Sequence, residues 1–72
     1  MDARKIGMFI AEKRKERNLS QRELAAHLHI TDKAISKWER GLSFPDITIL
    51  IPLSEVLDVN IYDLLTGGGN HE

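Results

Sequence analysis

The 72-residue chain contains no cysteine. That excludes a disulfide framework and any Cys-ligated zinc site, and it makes a reducing compartment the natural expectation. No apolar stretch approaches the ~20 residues that a membrane span needs, and the first residues, MDARK, lack the apolar core of a signal peptide. A cytoplasmic protein with no membrane partner is therefore expected. A phosphate-cradling glycine loop is also missing, because the one glycine cluster, Gly67–Gly69, precedes no helical pattern. No serine, histidine and acid stand at a persuasive catalytic spacing. His27, His29 and His71 have neither a cysteine nor a close carboxylate to complete a four-ligand metal site. The expectation is a chain that is not an enzyme, with no metal, no cofactor and no indicated small-molecule ligand.

An overall basic excess is lacking too. The formal net charge is −1, which at first argues against a nucleic-acid partner. The average conceals a division: residues 41–72 hold five acids and no Lys or Arg, whereas residues 1–40 hold all ten bases against six acids. The two parts carry −5 and +4. An electropositive half with an acidic far side would orient the molecule on a phosphate backbone while weakening non-specific attraction. Seventy-two residues suffice for one small domain, near the size at which a single core is only marginally stabilising.

The most informative stretch runs from Leu19 to Gly41, LSQRELAAHLHITDKAISKWERG. Ser20 followed three residues later by Glu23 has the form of a capping box, in which each side chain takes the other residue's free backbone N–H. A helix is expected from Gln21, with Leu24, Ala25 and Leu28 on its inward face. Thr31 is a second N-cap, and Asp32 stands where a negative charge favours a helix N-terminus. The next helix is expected over 32–40, with Ala34, Ile35 and Trp38 inward and Asp32, Lys33, Ser36, Lys37 and Arg40 outward. Gly41 ends it as a C′ glycine. Trp38 stands three residues after Ile35, so the spacing makes it a core residue rather than a platform for base stacking.

This string resembles the Cro/CI-like repressors, or XRE family, whose small bacterial members carry S-x-Q-x-L-A-x-x-L, then T-D-K-A-[IV]-S-K-W-E-R-G, then P-D. The likeness covers Ile6 to about Gly67. It implies an all-α, compact, five-helix, lambda-repressor-like DNA-binding domain over residues 1–66, its second and third helices forming the helix-turn-helix. A flexible Gly-rich tail, 67–72, follows.

Around the motif, residues from about Ala3 to Arg17 read as the first helix, with Ile6, Phe9 and Ile10 apolar. Lys13 stands where the family usually has an apolar residue. Either its methylene stem covers the core edge, or Arg14 and Arg17 shift the buried face. Asn18, His29 and Asp58 occupy places where the family commonly has glycine. All three are residue types that tolerate positive φ, so each can still end a helix. Pro45 disfavours helix at Phe44, and Asp46 is an N-cap for the most apolar segment, ITILIPLSEVL, read as a buried helix. Pro52 within it implies either a kink or an irregular first turn with regular helix from near Ile51. Asn60 caps a last helix whose Ile61, Leu64 and Leu65 are expected to close the core.

The resemblance implies that the third helix enters the major groove of double-stranded DNA, with Asp32, Lys33, Ser36 and Lys37 at the base-reading positions. Lysines can donate to guanine O6 and N7, serine to several base edges, and a carboxylate can accept from a cytosine amino group. Asp32 is equally well read as a helix cap or a partner of Lys33. The family pattern also places backbone phosphate contacts at Gln21, Arg14 and Arg40, with Arg22 adjacent, and suggests an ion pair between Arg14 and Glu39. The expected function is that of a sequence-specific transcriptional regulator, most simply a repressor, acting as a homodimer through helices four and five. The alternative is a protein-interaction module of the same fold, an antirepressor or antitoxin.

Overall fold

The computed structural model describes residues 2–68, which form five helices and no strand. The helices are α1 (Ala3–Glu16), α2 (Gln21–Leu28), α3 (Asp32–Glu39), α4 (Ile47–Leu57) and α5 (Ile61–Thr66). His71 and most of the expected tail, 69–72, lie outside the described residues.

Every helix begins and ends by the same two devices, both legible in local sequence. At the N-termini the side chains of Asp2, Ser20, Thr31, Asp46 and Asn60 each accept from a backbone N–H of the first turn. Such caps contribute roughly 1 kcal/mol apiece. At Ser20 both halves of the capping box form, with Glu23 N donating to Ser20 Oγ at 2.9 Å and Ser20 N to Glu23 Oε1 at 2.8 Å. At the C-termini a residue in the left-handed conformation turns the chain: Asn18 (φ 60°), His29 (58°), Gly41 (74°), Asp58 (59°) and Gly67 (72°). The two N–H groups at each turn then close on carbonyls of the last helical turn, as when Leu42 N bonds Lys37 O at 2.9 Å and Gly41 N bonds Trp38 O at 3.0 Å. The three non-glycine residues at glycine-like places thus do adopt positive φ. Gly67 and Gly68 close the C-terminal turn of α5.

Ile6, Phe9 and Ile10 of α1, Leu24, Ala25 and Leu28 of α2, Ile35 and Trp38 of α3, Leu53 and Leu57 of α4 and Leu64 of α5 make one core. At Lys13 neither alternative holds in full: Arg14 turns inward and is buried but Arg17 stays exposed, and the Lys13 ammonium lies 5.5 Å from the Phe9 ring centroid.

Of the two alternatives at Pro52, the irregular first turn does not form: the segment ITILIPLSEVL is a single helix from Ile47, capped by Asp46, with Pro52 inside it. Nor is that helix buried all round. Leu53, Ser54 and Leu57 face the core, but Ile47 is 78% and Ile51 61% exposed. A 3.6-residue period leaves one side of an isolated helix outward whatever its composition. On α5, Leu64 alone is fully buried, Ile61 and Leu65 being half-buried.

Candidate nucleic-acid interface

The outward face of α3 follows from its inward one. With Ile35 and Trp38 buried, Asp32, Lys33, Lys37 and Arg40 are exposed and Ser36 is half-buried. Helical spacing sorts these into two rows, Asp32–Ser36–Arg40 and Lys33–Lys37. The first row is tied at its C-terminal end, where Arg40 Nε donates to the Ser36 carbonyl at 3.3 Å and its Oγ at 3.2 Å. Thr31 Oγ1, not Asp32, accepts the N-terminal bond, from Ala34 N at 3.3 Å. Among the described residues the side chains of Asp32, Lys33 and Lys37 make no hydrogen bond or ion pair, so a pairing of Asp32 with Lys33 does not form.

A carboxylate-centred network fixes α3 against the rest of the motif. Glu39 accepts from Arg14 Nε at 2.7 Å, Arg14 Nη2 at 3.0 Å and Gln21 Nε2 at 2.9 Å. Arg14 also donates from Nη1 to the Leu19 carbonyl at 2.8 Å. One buried pair thereby ties α1, the loop before α2, the first residue of α2 and the last of α3. Two parallel N–H···O bonds from a guanidinium fix geometry as well as charge. The Glu39 hydrogen bond holds the Arg14 pKa above its ordinary high value, and burial opposes that shift. The ion pair expected between Arg14 and Glu39 is therefore present, and both Arg14 and Gln21 spend side-chain donors inside the protein. Arg22 is exposed, and no hydrogen bond from the described residues takes the backbone N–H of Gln21 or Arg22.

A determinant that the sequence reading missed lies beneath α3. Gly7 is buried in α1, and a Cβ there would stand 2.0 Å from the Trp38 carbonyl oxygen and 3.0 Å from that of Glu39. Glycine lets the two backbones touch and so sets how far α3 projects. The available signal was a glycine within a helical pattern, which costs ~1 kcal/mol relative to alanine and calls for a packing reason.

The charge division becomes spatial. All ten bases lie on or beside α1, α2 and α3, while α4 and α5 carry none. Five exposed apolar side chains, Leu42, Phe44, Ile47, Ile51 and Tyr62, belong to α4, α5 and the segment before them. No helix among the described residues is long and apolar enough to cross a membrane, and no group of three or more metal-ligating side chains is found there.

Comparison with known proteins places this arrangement. The helix-turn-helix family model matches residues 10–64. The HTH-type transcriptional activator BcrR of Enterococcus faecalis is 41% identical over 51 residues, 71% of this chain and 25% of that protein. The uncharacterized HTH-type transcriptional regulator YqaE of Bacillus subtilis is 39% identical over 59 residues, 82% of this chain and 51% of that protein. The chain thus spans a quarter of one of these relatives and about half of the other. Among solved structures, the restriction-modification controller protein C.AhdI of Aeromonas hydrophila superposes with a TM-score of 0.79 at 27% identity, covering 88% of this chain and 91% of that one.

Proposed function

Because the chain belongs to the helix-turn-helix family of transcriptional regulators, we propose that it binds double-stranded DNA sequence-specifically, with α3 in the major groove, and regulates transcription by occupying its operator. The observation that carries this reading is the outward face of α3, where Asp32, Lys33 and Lys37 have no partner among the described residues. Side chains that make no internal hydrogen bond or ion pair on a rigidly held helix remain available to base edges. Lys33 and Lys37 donate to guanine, Ser36 hydrogen-bonds a neighbouring edge, and Asp32 accepts from a cytosine amino group.

Phosphate contacts surround that face and position it. The uncapped N–H groups of Gln21 and Arg22 open α2 towards an anion, as helix N-termini do. Arg22 and Arg40 are exposed and add charge. Arg14 acts mainly through Glu39, orienting α3, and any phosphate contact falls to the two N–H groups left over from Glu39 and the Leu19 carbonyl.

A module this small makes few contacts, and two copies on half-sites ~34 Å apart would supply the rest. Exposed Ile47, Ile51, Phe44 and Tyr62 support a homodimer through α4 and α5. Promoter occlusion makes the protein a repressor. BcrR is named an activator, so a promoter–reporter assay with and without the chain distinguishes the two directions.

The central test is selection of bound duplexes from a random pool, repeated with Lys33→Ala and Lys37→Ala at two salt concentrations. Base readout predicts that both variants lose preference as well as affinity. A wild type with no preference for any duplex would refute the reading and favour a protein partner. A chain that stays monomeric both free and on a two-half-site duplex would refute the dimer.

A further inference from the structure

The N-terminal turn of α1 carries an arginine, Arg4, that belongs to neither the outward face of α3 nor the Glu39 network. Arg4 packs its stem against the glycine that closes α3: a Cβ on Gly41 would meet Arg4 Cγ at 2.8 Å and Arg4 Cα at 3.0 Å. Arg4, Met8, Glu39 and Arg40 line one open depression of about 250 Å³ at the C-terminal end of α3. Neither arginine forms an ion pair among the described residues. The two acids nearby are committed elsewhere, Glu39 to Arg14 and Gln21, and Asp2 to the backbone N–H groups of Arg4 and Lys5. Two unneutralised guanidiniums therefore border a single concavity, an arrangement that repels itself until an anion enters.

The spacing along α1 adds a direction. Arg4, Gly7 and Arg14 fall on the stripe that faces α3: Gly7 touches the Trp38 carbonyl, Arg14 holds Glu39, and Arg4 reaches past Gly41. At 1.5 Å per residue the two arginines stand ~15 Å apart along the helix, about the ~12 Å width of a major groove. Arg14 lies beside the opening turn of α2, and Arg4 beside the end of α3.

We propose that Arg4 and Arg40 together hold one backbone phosphate of the DNA at the C-terminal end of α3, making Arg4 a positioning residue for the reading helix. This rests on α3 occupying the major groove. The contact is made through bidentate-capable guanidinium groups and carries no sequence information.

The test measures the full chain and its Arg4→Gln variant on a duplex selected by the wild type, from 0.1 to 0.5 M salt. A contact whose counterion term scales as [salt] to the power −0.9 predicts that Arg4→Gln loses affinity about eightfold per bound chain at 0.1 M and about twofold per bound chain at 0.5 M. The salt slope falls by about one per bound chain and base preference is unchanged. In parallel, the arginine Nε–H signals are followed by NMR during titration with inorganic phosphate at constant ionic strength. Arg4 and Arg40 are expected to shift together, and the Arg40 response to weaken in Arg4→Gln. A variant with wild-type affinity and slope, or an Arg40 response unaffected by the substitution, overturns the phosphate site while leaving the groove reading intact. A wild type that prefers no duplex although both arginines respond to phosphate overturns the groove reading instead.

Discussion

Replacing Gly7 by alanine tests whether the backbone contact between α1 and α3 governs both stability and the placement of the reading helix. Helix propensity alone favours the substitution by about 0.8–1.0 kcal/mol. Against it stands the added Cβ, 2.0 Å from the Trp38 carbonyl oxygen, where a carbon and an oxygen normally approach to ~3.3 Å. The obstacle is backbone rather than a flexible side-chain end, so α3 must retreat by more than ~1 Å. That retreat would stretch the Arg14–Glu39 bonds, now 2.7 and 3.0 Å, beyond hydrogen-bond range. Overpacking costs about 1–3 kcal/mol, and a lost hydrogen bond to a charged group about 1.5–3 kcal/mol. Net destabilisation of about 1.5–5 kcal/mol follows after the propensity gain. For a domain of this size each kcal/mol lowers Tm by roughly 4–8 °C. Urea and thermal unfolding followed through Trp38, the single tryptophan, measure the effect, with Met8→Ala on the exposed side of the same helix expected to stay within ~0.5 kcal/mol. A Gly7→Ala protein as stable as the wild type, or more so, would refute the reasoning.

Lys33 and Lys37 stand one helical turn apart with like charge, so Lys37→Ala should stabilise the free protein by about 0.2–0.5 kcal/mol while weakening and broadening its DNA preference; a loss of stability would indicate a structural role instead. At His29, φ 58° predicts that His29→Gly is close to neutral, whereas His29→Val costs about 1–2 kcal/mol in chemical denaturation; equal stability of the two would show that the turn is not strained. The Asp46 carboxyl is held below its ordinary pKa, first by the Thr48 hydroxyl and then by the Thr48 backbone N–H. A folded pKa below the unfolded one means that this contribution is present above the unfolded pKa of 3.8 and fades as pH falls through the folded value. Thr48→Val should therefore raise the Asp46 midpoint in an NMR titration, and an unmoved midpoint would contradict the hydroxyl's role.

Local sequence determined the helix ends, the motif and the family. Caps at Ser20, Thr31, Asp46 and Asn60 and left-handed turns at Asn18, His29 and Asp58 depend on atoms a few residues apart, so residue type and spacing suffice to read them. The inward stripe of α3 was legible for the same reason, since Ile35 and Trp38 share a face by periodicity alone. Tertiary structure decided what periodicity leaves open. It turned Arg14 inward beneath a Lys13 that stays near water, and it left Ile47 and Ile51 outside a helix apolar enough to be buried. It also brought Arg4 and Gly7, neighbours on one stripe of α1, against Gly41 and the end of α3, although no local pattern joins α1 to residues so far along the chain. The physical reason is range: capping and helical period act within a turn or two, whereas which face is covered, and which carbonyl a missing Cβ admits, depends on the neighbour that packs there.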